Sequence, residues 1–459
     1  MSQTTALILA AGAGTRMKSS MPKVLHPVAG VSMIEHILDL CDELALEVPI
    51  AVIGHGADQI RSALKHRPVK FALQEQQLGT GHAVMVAQEQ LPDQGTTLIL
   101  YGDVPLLKPA TVAAFLAQHE AEGNAATVMT TRMPDPTGYG RIIRDEAGKV
   151  VAIVEQRDAD AAQQAITEIN TGIMCFNSRY LKNTLKNLSN DNDQKEYYLT
   201  DAIGLLEKSK LPVGAYVVAD PQEVMGINSR VQLHEAEQIY RSDRLTELME
   251  AGVTIVDAAS TFVEKYVTVG RDTTLLPGTY LRGRTTIGEG CILGPNAHIQ
   301  NCTLGDNVKI NHSTLTDSRV EADSTVGPYA YLRPGSDLGR GVKIGDFVEV
   351  KNARVDDGAK VSHLSYIGDG HVGKNANIGC GVVFVNYDGV HKHRTEVGDN
   401  AFVGCNANLV APVTIGAGAY VAAGSTITKN VPEGSLGIER ARQENKEGWV
   451  TRKRGTKQE

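Results

Sequence analysis

Apolar positions along the chain follow two different rules. Up to about residue 230, short apolar runs at 5–10 (TALILA), 50–54 (IAVIG), 97–101 (TLILY) and 125–131 (AATVMTT) alternate with helical stretches such as 32–45 and 80–91. That alternation predicts an α/β, Rossmann-like domain around a mostly parallel, doubly wound sheet. Such sheets bind ligands beyond the carboxyl ends of their strands. The glycine turn after Leu9 and the YGD after Leu100 both fall there. Residues 231–251 run without glycine or proline, with apolar residues at 233, 236, 240, 245, 248 and 249. This spacing predicts one long linker helix, about 30 Å in length, with Gly252 as its stop.

From about 265 the period becomes six. Val326, Leu332, Leu338, Ile344 and Val350 are evenly spaced, and a five-residue step leads to Val355, Val361 and Ile367. A second such step leads to Val372, Ile378 and Phe384, and a third run joins Val397, Val403, Leu409, Ile415, Val421 and Ile427. One inward aliphatic every six residues, with glycine or asparagine at the corners, predicts a left-handed parallel β-helix of hexapeptide repeats. The register breaks at 385–396 (VNYDGVHKHRTE), which predicts a loop ejected from the coil, a common place for function. The expected domains are therefore 1–230, a linker helix at 231–251, and a β-helix with a C-terminal tail at 252–459.

Composition narrows the class. A net charge of -8 disfavours nucleic acid as a partner. No apolar run reaches the roughly 18 residues of a membrane span, and no secretory signal pattern opens the chain. A soluble, cytoplasmic protein is expected. The six cysteines (41, 175, 291, 302, 380 and 405) form no C-x-x-C pair and are expected to be free thiols.

The stretch LILAAGAGTRMKSSMPK (7–23) holds the first candidate chemistry. It has neither the third glycine of a dinucleotide fingerprint nor the G-K-[ST] of a P-loop. Its glycines admit backbone amides to a phosphate, and Arg16 and Lys23 add positive charge. Asp103 ends an apolar strand, where a carboxylate suits Mg²⁺. Read singly, Lys23 is equally a solvated lysine, Asp103 a turn cap and Asn228 a helix cap. In the second half, His363 follows the inward Val361 and so should point outward, as a general base for an amine requires.

Here the chain resembles the sugar-nucleotide pyrophosphorylases through L-A-A-G-x-G-T-R-M-x(5)-P-K. QLGTGHA (77–83), YGD (101–103), PTGYGRI (136–142), IVE (153–155), EINTGI (168–173) and GINSR (226–230) extend the match. With the hexapeptide half, it resembles the bacterial bifunctional N-acetylglucosamine-1-phosphate uridylyltransferase/glucosamine-1-phosphate acetyltransferases over nearly its whole length. The resemblance implies UTP contacts from Leu9, Ala10, Ala11 and Gly12, uracil recognition by Gln74, Gly79 and Thr80, and a site lined by Tyr101 and Gly102. It also implies sugar contacts from Gly140, Glu155 and Asn170, and one Mg²⁺ on Asp103 and Asn228. Arg16 and Lys23 would neutralise charge as N-acetylglucosamine-1-phosphate attacks UTP.

For the second half the resemblance names His363 as the base that deprotonates glucosamine-1-phosphate. Arg333 and Lys351 would hold its phosphate, with Tyr366 and Asn377 at the sugar. Asn386, Tyr387, Cys380, Cys405, Ala423 and Arg440 would meet acetyl-coenzyme A. The family commonly has small residues at 380 and 405, so the two cysteines depart from its pattern. The tail at 441–459, with six basic and three acidic residues, reads either as a solvated end or as a cover for the coenzyme. The family forms homotrimers and feeds peptidoglycan and lipopolysaccharide precursor synthesis, without nucleic acid or membrane partners. Two other readings remain open at this point. One is a monofunctional pyrophosphorylase whose β-helix regulates or oligomerises; the other is a non-enzymatic regulator built from the same folds.

Overall fold

A computed structural model describes residues 3–455. The first two residues of the expected first domain and the last four of the tail lie outside the described residues. Two compact units, Met1–Tyr240 and Arg241–Glu459, divide the chain within the helix Arg230–Glu250.

The first unit is built on a nine-stranded sheet. Its central strand, Thr4–Ala10, pairs in parallel with Thr96–Tyr101 on one side and Glu47–Ile53 on the other. Glu168–Asn177 pairs antiparallel with both Thr96–Tyr101 and Ala126–Arg132, so the sheet is mixed. That strand is announced only by the short apolar run 173–176, because Asn170, Thr171 and Gly172 interrupt its middle. The register shifts there, and Gly172 takes φ +85°. The interruption is where the strand passes Tyr101, whose ring leaves no room for a side chain at 172. Helix Thr80–Val86 stops short of the expected residue 91, giving way to a 3₁₀ turn at Gln88–Gln90.

Helix Arg230–Glu250 contributes Leu233, Ala236 and Tyr240 to a cluster with Val28, Met33, Leu106 and Ile227. Its later residues Leu245 and Leu248 belong to the core of the second unit. Gly252, at φ +94°, turns the chain out of the helix.

The second unit stacks short parallel strands into three sheets of eleven, ten and nine strands, the left-handed β-helix of the hexapeptide pattern. Every aliphatic of the six-residue series from Val326 to Ile427 is buried. Each contributes on the order of 1.5–3 kcal/mol of apolar burial to a continuous column. The coil begins at Thr254–Ile255, ahead of the expected 265, because an eight-residue step separates Ile255 from Val263 before the six-residue spacing starts. Gly381 and Asn406 turn equivalent corners of consecutive coils, both at positive φ. A side chain at 381 would collide with the Asn406 amide.

Candidate active sites

In the first unit, the ends of the central strands surround a cavity of about 560 Å³. Leu9, Ala10, Ala11, Gly12, Arg16, Lys23, Gln74, Gly79, Thr80, Tyr101, Asp103 and Asn228 all line it. Gly14 takes φ +59°, and any Cβ there would stand 2.7 Å from Cβ of Lys23. The loop is therefore cut to let Lys23 lie against it. The Lys23 ammonium donates to Asp103 and, at 2.9 Å, to Oδ1 of Asn228. Asn228 thus points into the cavity, while the neighbouring Ser229 accepts from the Gln232 amide at 3.2 Å and caps the helix. Arg16 is exposed at the rim and has no side-chain partner among the described residues.

The buried Gln74 donates to the Gly79 carbonyl at 3.1 Å. Gly102 joins two strand ends by donating to the Leu9 carbonyl at 3.0 Å. Gly140, Glu155 and Asn170 meet one another but do not line the cavity themselves. The Asn170 amide donates to the Gly140 carbonyl at 2.8 Å, and Gly140 faces the Glu155 carboxylate. Burial holds the Glu155 carboxyl above its usual range, against a 3.2 Å hydrogen bond from Thr200. Burial likewise raises the Tyr101 hydroxyl, and the nearby Asp103 and Glu155 add to it. Thr137, Gly138, Tyr139 and Thr171 carry the wall between. The first three lie inside the motif PTGYGRI, so the sequence held a signal for them. Gln77 likewise opens the motif QLGTGHA, whereas Glu196 had no comparable signal.

In the second unit, His363 ends one strand and Asp346 ends the strand of the preceding coil, paired in register. The Asp346 carboxylate meets Nδ1 of His363. A carboxylate at one ring nitrogen fixes the tautomer and leaves the other free for a proton. This contact also holds the Asp346 carboxyl below its usual range. Asp346 is seventeen residues from His363, one coil away, and sequence reasoning passed over it.

Arg333 and Lys351 occupy the same position of adjacent coils, one residue beyond the paired Leu332 and Val350. Lys392, from the ejected loop, joins them. Its contact with Lys351 depresses the Lys392 pKa, and Arg333 adds to the repulsion. Glu349 pairs with Arg333 at 2.7 Å and Asp369 with Lys351, and three cations gathered at one place suit a phosphate. Beneath them the buried Asp369 accepts from Asn352 at 2.6 Å, from Asn386, and from Lys351 at 3.3 Å. Burial opposes the charge of Asp369, yet these donors hold its carboxyl below the usual range. Asn386 also reaches the Tyr366 hydroxyl at 3.5 Å.

Tyr387 is exposed on the loop, which is a small hairpin closed by Tyr387 and Lys392. Asn377 lies on a different sheet from Tyr366 and is not brought to this cluster. Cys380, Cys405 and Ala423 stack on one corner beyond His363, and Arg440 donates to the Ala423 carbonyl at 3.0 Å. The described part of the tail is exposed and ends in a helix, Trp449–Gly455. Among the described residues, no helix is long and apolar enough to cross a membrane.

A nucleotide-sized cavity at the strand ends of an α/β unit, joined to a β-helix bearing an oriented histidine, defines a two-centre transferase. Residues 6–169 match the MobA-like NTP transferase domain. Residues 266–301, 285–316 and 394–429 match the bacterial transferase hexapeptide (six repeats). The chain is 52% identical over 448 residues to the bifunctional protein GlmU of Alkaliphilus metalliredigens, covering 98% of each chain. It is also 52% identical over 461 residues to that of Brevibacillus brevis, covering 100% of each. The relative from Clostridioides difficile is 52% identical over 448 residues, covering 98% of this chain and 97% of its own. The chain belongs to the bifunctional GlmU family and is a bifunctional enzyme, a uridylyltransferase and an acetyltransferase acting on small molecules.

Proposed function

We propose that the β-helix unit acetylates glucosamine-1-phosphate with acetyl-coenzyme A, and that the first unit transfers UMP from UTP to the resulting N-acetylglucosamine-1-phosphate. The products are UDP-N-acetylglucosamine and pyrophosphate, which suits a cytoplasmic source of cell-wall precursors. In this reading the domains run 1–230 for uridylyl transfer, 231–251 for the linker and 252–459 for acetyl transfer.

In the first site, Gln74, Gly79 and Thr80 take the uracil, and the loop at 9–12 the nucleotide. Gly140, Glu155 and Asn170 sit behind the wall that takes the sugar. Asp103 and Asn228 are two hard oxygen donors converging on one cation, the Lys23 ammonium. That donor set fits Mg²⁺, which takes one or two protein ligands and fills its shell with phosphate and water. Bound there, Mg²⁺ would supply charge neutralisation for the phosphates. Lys23 then turns to the phosphates beside Arg16. The sugar phosphate oxygen is already ionised, so its in-line attack on the α-phosphorus needs no base.

In the second site, His363 takes a proton from the ammonium of glucosamine-1-phosphate through the nitrogen that Asp346 leaves free. The neutral amine attacks the thioester carbonyl, and coenzyme A leaves as the thiol. Arg333, Lys351 and Lys392 hold the phosphate, with Tyr366 and Asn377 at the sugar. Asn386, Tyr387, Cys380, Cys405, Ala423 and Arg440 meet the coenzyme. The His363–Asp346 pair and the cluster of three cations carry this reading, because a purely regulatory β-helix needs neither. The test is thiol release from acetyl-coenzyme A by the wild-type protein. Release that depends on glucosamine-1-phosphate is expected; none from protein active in uridylyl transfer would leave the β-helix a regulatory module.

We also read the enzyme as a homotrimer. Tyr329, Phe347 and Leu364 stand at one corner of three successive coils, each more than half exposed, and the first two rings stack with centroids 5.4 Å apart. Such a ridge is an association surface. Asn377, on a sheet apart from the Arg333–Lys351 cluster, suits a site completed by a second copy. Phe347→Glu is expected to shift the sedimenting species from trimer to monomer and to lower acetyl transfer more than uridylyl transfer. A variant that remains trimeric would remove this ridge from the interface.

A further inference from the structure

Cys380 and Cys405 are not independent thiols. Ile378 pairs in register with Val403 in the next coil, so the cysteines two residues beyond each strand occupy one corner position of consecutive coils. The Asn406 amide donates to the Cys380 carbonyl at 2.7 Å, tying the two corners together. Parallel neighbours stand about 4.8 Å apart, inside the Cα separation of roughly 4.4–6.8 Å that a disulfide spans. Their side chains leave the corner in the same sense, because both coils turn alike. Gly379, Gly381 and Gly404 flank them and let the corner adjust.

Access separates this pair from every other cysteine. Cys41, Cys175, Cys291 and Cys302 are buried, while Cys380 is half-buried and Cys405 exposed. Burial pushes the Cys41 thiol up to about 12 and the Cys302 thiol up to about 11, and raises Cys175 and Cys291 as well. Those four have little thiolate to react. The corner below Cys380 in the same column is His363, and the corner above Cys405 is Ala423.

We propose that Cys380 and Cys405 form a reversible intrachain disulfide, a modification site through which low-molecular-weight disulfides switch off acetyl transfer. Cys405, the more exposed, attacks one sulfur of the small disulfide and expels its first thiol. Cys380 then attacks the Cys405 sulfur of the mixed disulfide and expels the second thiol. The two cysteines lose two electrons and two protons, and the small disulfide gains both as two thiols. Bridging ties the two side chains into one rigid group on the column that His363 occupies. The effect on acetyl transfer rests on placing acetyl-coenzyme A at this corner, whereas the bridge itself does not. Intracellular disulfides of this kind are transient and redox-sensing.

The full-length protein is incubated with oxidised glutathione, digested with trypsin and analysed by mass spectrometry. Cleavage at Lys374, Lys392 and Arg394 places the two cysteines on separate peptides. A cross-linked 380–405 peptide is expected, with acetyl transfer reduced at least tenfold, uridylyl transfer unchanged, and both features reversed by dithiothreitol. In Cys405→Ser, the ratio of acetyl transfer before and after oxidant should stay within twofold. Absence of the cross-linked peptide overturns the proposal whatever the activity. A cross-linked protein with undiminished acetyl transfer overturns the switch. A reduced protein that releases no coenzyme A thiol contradicts the acetyltransferase reading instead and leaves the peptide result standing.

Discussion

His363→Ala is expected to lower acetyl transfer by a factor on the order of 10²–10⁴, the usual contribution of a positioned general base, and to leave uridylyl transfer near the wild-type rate. The ring is exposed at the end of its strand and contributes nothing to the buried column, so its loss should not unfold the coil. Asp346 orients it, and Asp346→Asn should therefore move the same activity in the same direction, by less. The pH profile adds a readout that a structural role would not move. Acetyl transfer by the wild type should fall at acid pH, because a base that already carries its proton accepts nothing. The residual rate of His363→Ala should lack that limb. Coenzyme A thiol release measured across pH checks both points.

Asp103→Ala is expected to do the reverse. Uridylyl transfer should fall on the order of a thousandfold, as removing several kcal/mol of charge stabilisation implies, with acetyl transfer retained. Asp103 is buried and paired with Lys23. Its removal leaves an ammonium without its carboxylate and costs the first unit stability. Asp103→Asn keeps the shape and a hydrogen-bonding oxygen, so it separates lost chemistry from lost folding. Pyrophosphate release, with a thermal melt alongside, checks the prediction. If the folded Asn variant kept full uridylyl transfer, the carboxylate would have no part in the reaction.

How far the sequence carried these conclusions depended on what kind of contact each feature makes. The hexapeptide column was legible because one aliphatic per side points inward at a fixed spacing. The break at 385–396 was legible because the spacing failed. The glycine loop, Lys23, Asp103 and Asn228 stood in recognisable order, although that Lys23 bridges the other two was not visible. Contacts between coils were the hidden class. Asp346 with His363, Lys392 with Lys351 and Cys380 with Cys405 are each separated by a coil or a loop, so their pairing exists only after the helix is wound. Strand Glu168–Asn177 was hidden for the opposite reason, since its polar middle serves the site and breaks the apolar run.

In the proposed reaction sequence, two chemically separate centres act in turn on a diffusible intermediate. The direct test combines the His363→Ala and Asp103→Ala proteins in one reaction with glucosamine-1-phosphate, acetyl-coenzyme A, UTP and Mg²⁺, and follows UDP-N-acetylglucosamine. Either variant alone should form it only at its residual rate, and the mixture should restore its formation. A mixture no better than either variant alone would contradict the claim.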